Sequence, residues 1–119
     1  MIVAGFGFRS ETSLAALQDA LARAGGPAGV THLATLAAKA PALAQLGQIL
    51  GLPVLALSPE ALADQPTLTR SDRVQALHHT GSVAEAAALA AAGPGARLRG
   101  PKAISADRTA TAAIAEGAG

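Results

Sequence analysis

The sequence has no cysteine, tryptophan or tyrosine, and only two phenylalanines among 119 residues. Without cysteine there can be no disulfide, no thiolate nucleophile and no cysteine-ligated metal site. With so few aromatic rings, binding of single-stranded nucleic acid through base stacking is disfavoured. The net charge of +1 favours no class of charged partner. We therefore expect no nucleic-acid partner, no metal and no bound cofactor.

Long apolar runs are also missing. No stretch approaches the ~18 uninterrupted apolar residues that a membrane span requires. The first residues, MIVAGFGFR, have no basic region ahead of their short apolar run, which favours a first strand over a signal peptide. These features predict a cytoplasmic protein without a membrane partner. The length suits one domain, residues 1–119, with a core of leucine, valine, isoleucine and alanine.

What the sequence does contain is alternation between short apolar runs and helical periodicity. The apolar runs predict strands at 2–7, 30–36, 53–57, 96–100 and 109–115. Leucines recur at helical spacing, proline or serine stands at the starts of these segments, and glycine stands at their ends. These signals predict helices after Ser13, from Pro41, after Ser58, around 71–78 and over 82–92. This order predicts an α/β fold with helices on both faces of a mixed, mostly parallel sheet of about five strands, whose last two strands are antiparallel.

The first candidate site is the segment GFGFRSETS. Gly5 and Gly7 would let the backbone approach a ligand, the following helix start offers free N–H groups, and Arg9 adds a positive charge. A dinucleotide fingerprint is excluded, because Ser10 replaces its third glycine and no acidic residue occurs between positions 19 and 60. Close packing of a strand against a helix explains the two glycines equally well.

The second candidate is the segment HHTGS at 78–82. Adjacent histidines point in different directions on a helix, so they make a poor metal chelate. Ser82 and Glu85 have the spacing of a capping box, although the helix start beneath Gly81 would also suit an anion.

The third candidate is a basic segment that contains Arg97, Arg99, Lys102 and Arg108 against the single Asp107. Strands at a surface often carry such residues only for solubility. Lys39 is likewise either a site residue or a solvated loop residue. No nucleophile or acid–base constellation emerges from spacing: the groups near the expected cleft that can transfer protons are Glu11, Glu85, His78 and His79.

Three stretches, taken in order, resemble one family. They are VAGFGFRSETS, LATLAAKAPALAQLGQILGLPVLALSPEAL and TGSVAEAAALAAAGPGARLRGPKAISADRTATAAIAE, which together cover nearly the whole chain. The chain is similar to CobE proteins and to the C-terminal domain of CbiG, from cobalamin (vitamin B12) biosynthesis. The resemblance implies a three-layer α/β/α domain. Because Met1 stands directly before the domain, it also implies the stand-alone, CobE-like type of the oxygen-dependent pathway.

The resemblance implies a role with a precorrin or other corrinoid intermediate, a flat ring fringed with carboxylates. Three roles stay open: binding or carrying the intermediate, hydrolysis of a precorrin lactone with loss of a two-carbon fragment, and a non-catalytic partnership with other enzymes of the pathway. The family pattern leaves the catalytic residues unknown and implies a substrate-binding set of Gly5, Gly7, Arg9, Thr12, Ser13, Lys39, Gly81, Ser82, Glu85 and Lys102.

The sequence departs from the family pattern in two places. Relatives often carry a run resembling Cys-Arg-Lys-Gly-Thr-Ser where this chain has residues 8–13, and another basic residue where it has Ala103 and Ile104. We therefore expect the ligand contacts to differ in detail.

Overall fold

The structure, a computed structural model, describes residues 1–63, 65–71, 74 and 81–118. In these ranges the strands are β1 (Ile2–Phe8), β2 (His32–Leu36), β3 (Val54–Leu57), β4 (Arg97–Leu98), β5 (Ala103–Ile104) and β6 (Ala110–Glu116). The helices are α1 (Leu14–Ala24), α2 (Ala40–Leu50), α3 (Pro59–Leu62) and α4 (Val83–Ala92), with a 3₁₀ turn at Ala37–Lys39.

The strands form one mixed sheet in the order β3-β2-β1-β6-β4, and β5 pairs with β6 beside β4. The core strands β1, β2 and β3 are parallel, while β6 runs antiparallel to β1 over its whole length, from Ile2 opposite Glu116 to Phe8 opposite Ala110. The predicted α/β fold and mixed sheet are confirmed. The strand predicted at 96–100 is shorter, since only Arg97–Leu98 form β4, and the two-residue strand β5 is additional to the five predicted strands.

Local chemistry explains where the helices begin and end. The Ser13 and Ser58 side chains accept hydrogen bonds from backbone N–H groups three residues later, which satisfies free donors at the starts of α1 and α3. Gly25 and Gly51 close α1 and α2 in the left-handed conformation that glycine adopts most readily. The helix predicted around 71–78 falls mostly outside the described residues.

Side-chain alternation along β1 divides the core between the two faces of the sheet. Ala4 and Phe6 point to the face covered by α1 and α2, where they pack among leucines of both helices. Val3 points to the other face, which is covered by α3 and the alanine-rich α4. The domain is therefore the three-layer α/β/α arrangement that the family resemblance implied.

α4 lies unusually close to the sheet because β1 has a glycine beneath it. A Cβ atom added to Gly5 would lie 2.5 Å from the backbone nitrogen of Ala88, which is too close for any side chain. Ala84 and Ala86 to Ala88 are fully buried, so small residues on the helix match the missing side chain on the strand. This close approach brings the first residues of α4 to the carboxyl end of β1.

Candidate functional site

A cleft of about 590 Å³ opens at the carboxyl ends of β1 and β2. The start of α4, at Ser82 and Val83, forms one wall, and the β5–β6 turn forms another. Ligands of open α/β sheets commonly bind outside the carboxyl ends of parallel strands, and this volume is within the range of small-molecule sites. Its position and size therefore make this cleft the candidate functional site.

The cleft has an apolar part and a cationic part. Phe8, Leu36, Val83 and Ile104 supply apolar surface. The cationic residues that line it are Arg9, Lys39, Lys102 and Arg108, and among the described lining residues Glu11 is the one acidic residue.

None of the four cations lies within the 4.0 Å ion-pair limit of a carboxylate of the described residues, where the two ion pairs are Arg23–Asp19 and Arg99–Glu116. The Lys39 Nζ atom lies 5.5 Å from the centre of the Phe8 ring, so the lysine covers the apolar surface at its edge. The cleft thus carries an excess of positive charge that described side chains do not neutralise.

A buried carboxylate fixes one wall of the cleft. Glu85 is fully buried, and its Oε1 accepts hydrogen bonds from the N–H groups of Leu68 and Thr69 at 2.7 and 2.8 Å. Its Oε2 accepts the Thr69 hydroxyl at 2.8 Å and the Lys102 N–H at 2.7 Å. Glu85 therefore joins the segment before α4 to the segment that carries Lys102.

The predicted capping box is only half present. The Ser82 hydroxyl accepts from the Glu85 N–H at 3.2 Å, as predicted. The Glu85 side chain does not return to the Ser82 N–H, because both of its oxygens are occupied by residues far along the chain. The reciprocal hydrogen bond of the prediction was therefore wrong, and tertiary contacts replaced it.

The β5–β6 turn is held by two further carboxylates. Asp107 Oδ1 accepts the Ser105 hydroxyl at 2.7 Å, and the Thr109 N–H and hydroxyl at 3.0 and 2.8 Å. These bonds, above all the one from Ser105, hold the pKa of Asp107 below its ordinary value of 3.8. Asp19 of α1 accepts the Ala106 N–H at 2.8 Å, and that bond, followed by the one from Arg23, lowers its pKa as well.

The structure brings half of the ten sequence-predicted binding residues to the cleft. Those that line it are Gly7, Arg9, Lys39, Ser82 and Lys102. The other five do not line it. Gly5 lies beneath α4, and Gly81 packs against Thr67 and Thr69. The Thr12 hydroxyl is hydrogen-bonded to the Thr109 hydroxyl at 2.8 Å, Ser13 caps α1, and Glu85 is buried and accepts the Lys102 N–H. The assignment of this set to ligand binding stays a prediction.

Sequence reasoning gave some cleft residues no binding role. Arg108 appeared only as part of a basic segment, and Thr35, Thr109 and Thr111 were not singled out. The basic segment in fact divides: Lys102 and Arg108 line the cleft, whereas Arg99 pairs with Glu116 on the exposed surface. No sequence signal marked this division, because it depends on the route of the chain through β4 and β5. His78 and His79 lie outside the described residues.

Metal and membrane features are absent from the described ranges. There, no three histidine, aspartate or glutamate side chains lie close enough together to hold a metal ion. The same residues include no helix of the length and apolarity needed to cross a membrane.

Fold and cleft together define a small α/β/α protein with a cationic cleft at the carboxyl ends of its parallel strands. The family model described as "Cobalamin synthesis G C-terminus" matches residues 2–115. The chain belongs to this family, which unites CobE with the C-terminal domain of CbiG. No curated protein matches the chain.

Solved structures agree with this assignment. CobE, "a protein from the cobalamin (vitamin B12) biosynthetic pathway", is 36% identical, with a TM-score of 0.80 over 97% of this chain and 89% of that one. The cobalamin biosynthesis protein ChiG from Agrobacterium tumefaciens is 34% identical, with a TM-score of 0.68 and full coverage of both chains. A putative cobalamin biosynthesis protein G homolog from Sulfolobus solfataricus shares the fold at 18% identity, with a TM-score of 0.74 over 96% of this chain and 36% of that one.

Proposed function

We propose that this cobalamin biosynthesis protein binds a carboxylate-rich corrinoid intermediate in the cleft and carries it between enzymes of the pathway. The observation that supports the proposal is the local charge: four cations against one carboxylate among the described lining residues, beside an apolar surface. A corrinoid precursor presents a flat apolar ring with acetate and propionate side chains at its rim. The ring suits the apolar part of the cleft, and the carboxylates suit its cations.

The electrostatics of the cleft favour a multiply charged anion. Arg9, Lys39 and Lys102 approach from different segments of the chain, so a ligand that reaches all of them needs several separate carboxylates. The start of α4 adds the partial positive charge of a ten-residue helix at Ser82. A single small anion would use only part of this arrangement.

The test is a titration of the purified protein with a metal-free corrinoid that has free carboxylates, followed by its visible absorption spectrum. We expect saturable binding at micromolar concentrations that weakens as salt is raised, because screening reduces charge–charge attraction. Lys102→Gln and Arg9→Gln should each weaken binding about five- to thirty-fold, since one charge-assisted contact contributes roughly 1–2 kcal/mol after solvent screening.

A matched control separates site charge from net charge. Arg97 is an exposed cation on β4 that does not line the cleft. Arg97→Gln removes the same charge and should leave the affinity within about twofold of the unmodified protein, because exposed charges are screened by salt and Arg97 lies opposite Glu116, at the end of β6 away from the cleft. Equal losses for Arg97→Gln and Lys102→Gln would contradict binding in this cleft. No saturable binding of any corrinoid would overturn the proposal and favour a role as a protein partner of a pathway enzyme.

A second candidate function is hydrolysis of a precorrin lactone, which the family resemblance implies for CbiG proteins. The observation that favours it is Glu11, a carboxylate on the lining of an otherwise cationic cleft. Glu11 would take a proton from water as the water oxygen attacks the lactone carbonyl. The ester C–O bond would then break, and the departing alkoxide would take that proton from Glu11. Opening of the lactone in the matching precorrin, abolished by Glu11→Gln, would establish this activity. Turnover that survives Glu11→Gln would exclude Glu11 as its base.

The cytoplasmic location and the contact with other pathway enzymes that the sequence predicts remain predictions. A carrier must release its ligand to an enzyme, so copurification of a pathway enzyme with the protein would test the contact, and fractionation of a producing cell would test the location.

A further inference from the structure

The β5–β6 turn contains an unusual backbone conformation. Arg108 has φ +63°, and it is the one non-glycine residue with positive φ among those the structure describes. The left-handed conformation disfavours a side chain such as arginine, whereas glycine, asparagine and aspartate adopt it more readily. Glycine at this position would therefore form the same turn with less backbone strain.

Several hydrogen bonds of neighbouring residues hold this backbone conformation. The Arg108 N–H donates to the Ser105 carbonyl at 2.9 Å, and Asp107 binds the residues on both sides of the turn. The Arg9 N–H donates to the Thr109 carbonyl at 2.9 Å, which fixes the turn to the end of β1. Together with the bond from Ala106 to Asp19, these contacts hold the arginine in one place despite its unfavourable backbone.

The strained residue is at the cleft and its charge is uncompensated there. Arg108 lines the cleft together with Lys102 and Lys39, and it forms no ion pair with a carboxylate of the described residues. A guanidinium group can bind a carboxylate through two parallel hydrogen bonds, which an ammonium group cannot match.

We infer that Arg108 determines the specificity of the cleft by binding a carboxylate at the rim of the ligand, so that the protein distinguishes free-acid corrinoids from amidated ones. This inference rests on the proposed corrinoid-binding function. A neutral amide cannot replace the carboxylate, because it carries no charge and presents one acceptor oxygen where the fork of the guanidinium needs two.

The experiment measures affinity for two ligands and thermal stability in the same variants. The ligands are a metal-free corrinoid with free carboxylates and the same ring with its carboxylates converted to amides. Arg108→Gly removes the guanidinium but suits the left-handed backbone, so its Tm should stay within about 3 °C of the unmodified protein. Arg108→Lys keeps the charge without the fork, and Arg97→Gln is the control outside the cleft.

The unmodified protein should prefer the free acid, and Arg108→Gly should bind that ligand about five- to thirty-fold more weakly while changing its affinity for the amide less than twofold. Arg108→Lys should recover only part of the preference. A merely structural role would weaken both ligands equally and lower Tm, which would overturn the inference.

The outcomes also separate this inference from the proposed function. If the unmodified protein binds the free acid and Arg108→Gly binds it equally well, the inference fails while corrinoid binding stands. If the unmodified protein binds neither ligand, corrinoid binding fails and the assignment of Arg108 fails with it.

Discussion

The buried carboxylate of Glu85 allows the sharpest test of the structure. Glu85→Gln changes one oxygen to an NH₂ group and keeps the size of the side chain. In its better orientation the new amide keeps its oxygen towards the N–H groups of Leu68 and Thr69. Its NH₂ group then faces the Lys102 N–H, which loses its acceptor, and the Thr69 hydroxyl, which can rotate to accept. The opposite orientation leaves two N–H groups unpaired instead of one.

The expected loss follows from this count. One buried N–H without an acceptor costs about 1–3 kcal/mol, and the facing NH₂ group adds repulsion between donors. We expect the free energy of unfolding to fall by about 2–3 kcal/mol, and Tm by roughly 6–15 °C for a domain of this size. Glu85→Ala should lose more, because it leaves all four donors unpaired and opens a cavity.

Urea and thermal unfolding followed by circular dichroism measure the change, and hydrogen exchange locates it. The Lys102 amide should lose protection in Glu85→Gln. Glu116→Gln is the control, since that carboxylate is exposed and pairs only with Arg99 among the described residues, so less than about 1 kcal/mol is expected. A Glu85→Gln variant within about 0.5 kcal/mol of the unmodified protein would refute the argument that this carboxylate joins the two segments.

Three further predictions concern other parts of the fold. Gly5→Ala should destabilise the protein by about 1–3 kcal/mol in urea unfolding, because the new methyl group meets the backbone of α4 at Ala88. Ser13→Ala should lower stability by about 1 kcal/mol in the same assay, because it removes the cap of α1. Asp107→Asn should reduce Tm at pH 5, and the difference from the unmodified protein should narrow as the pH falls below 3.8. The pKa of Asp107 is lowered on folding, so its stabilisation is complete above its ordinary value of 3.8 and is lost as pH falls through the folded value.

Each of these has an outcome that contradicts it. A stable Gly5→Ala protein would mean that α4 does not lie so close to β1. A Ser13→Ala variant as stable as the unmodified protein would mean that α1 starts without this cap. Parallel Tm curves of Asp107→Asn and the unmodified protein from pH 5 to pH 2 would mean that the carboxylate does not hold the β5–β6 turn.

Much of the fold was determined by the local sequence. Apolar runs defined the five main strands, and serine, proline and glycine defined the limits of the helices, because these signals act within a few residues of one another. The order of strands and helices fixed the α/β class, and the order of the family's motifs fixed the pathway. Of the ten residues that the family motifs named as binding residues, five line the cleft, and their binding role stays a prediction: Gly7, Arg9, Lys39, Ser82 and Lys102.

Contacts between segments that are distant in the sequence were determined by the tertiary structure alone. The sequence spacing of Ser82 and Glu85 predicted a local capping box, but the Glu85 carboxylate instead binds Thr69 and Lys102, 16 and 17 residues away. Arg108 lines the cleft because the turn after β5 places it there, with a positive φ that no residue pattern predicts. Local propensity acts over a few residues. A buried carboxylate instead accepts hydrogen bonds from whichever groups pack against it, and the assembled sheet and helices determine which groups those are.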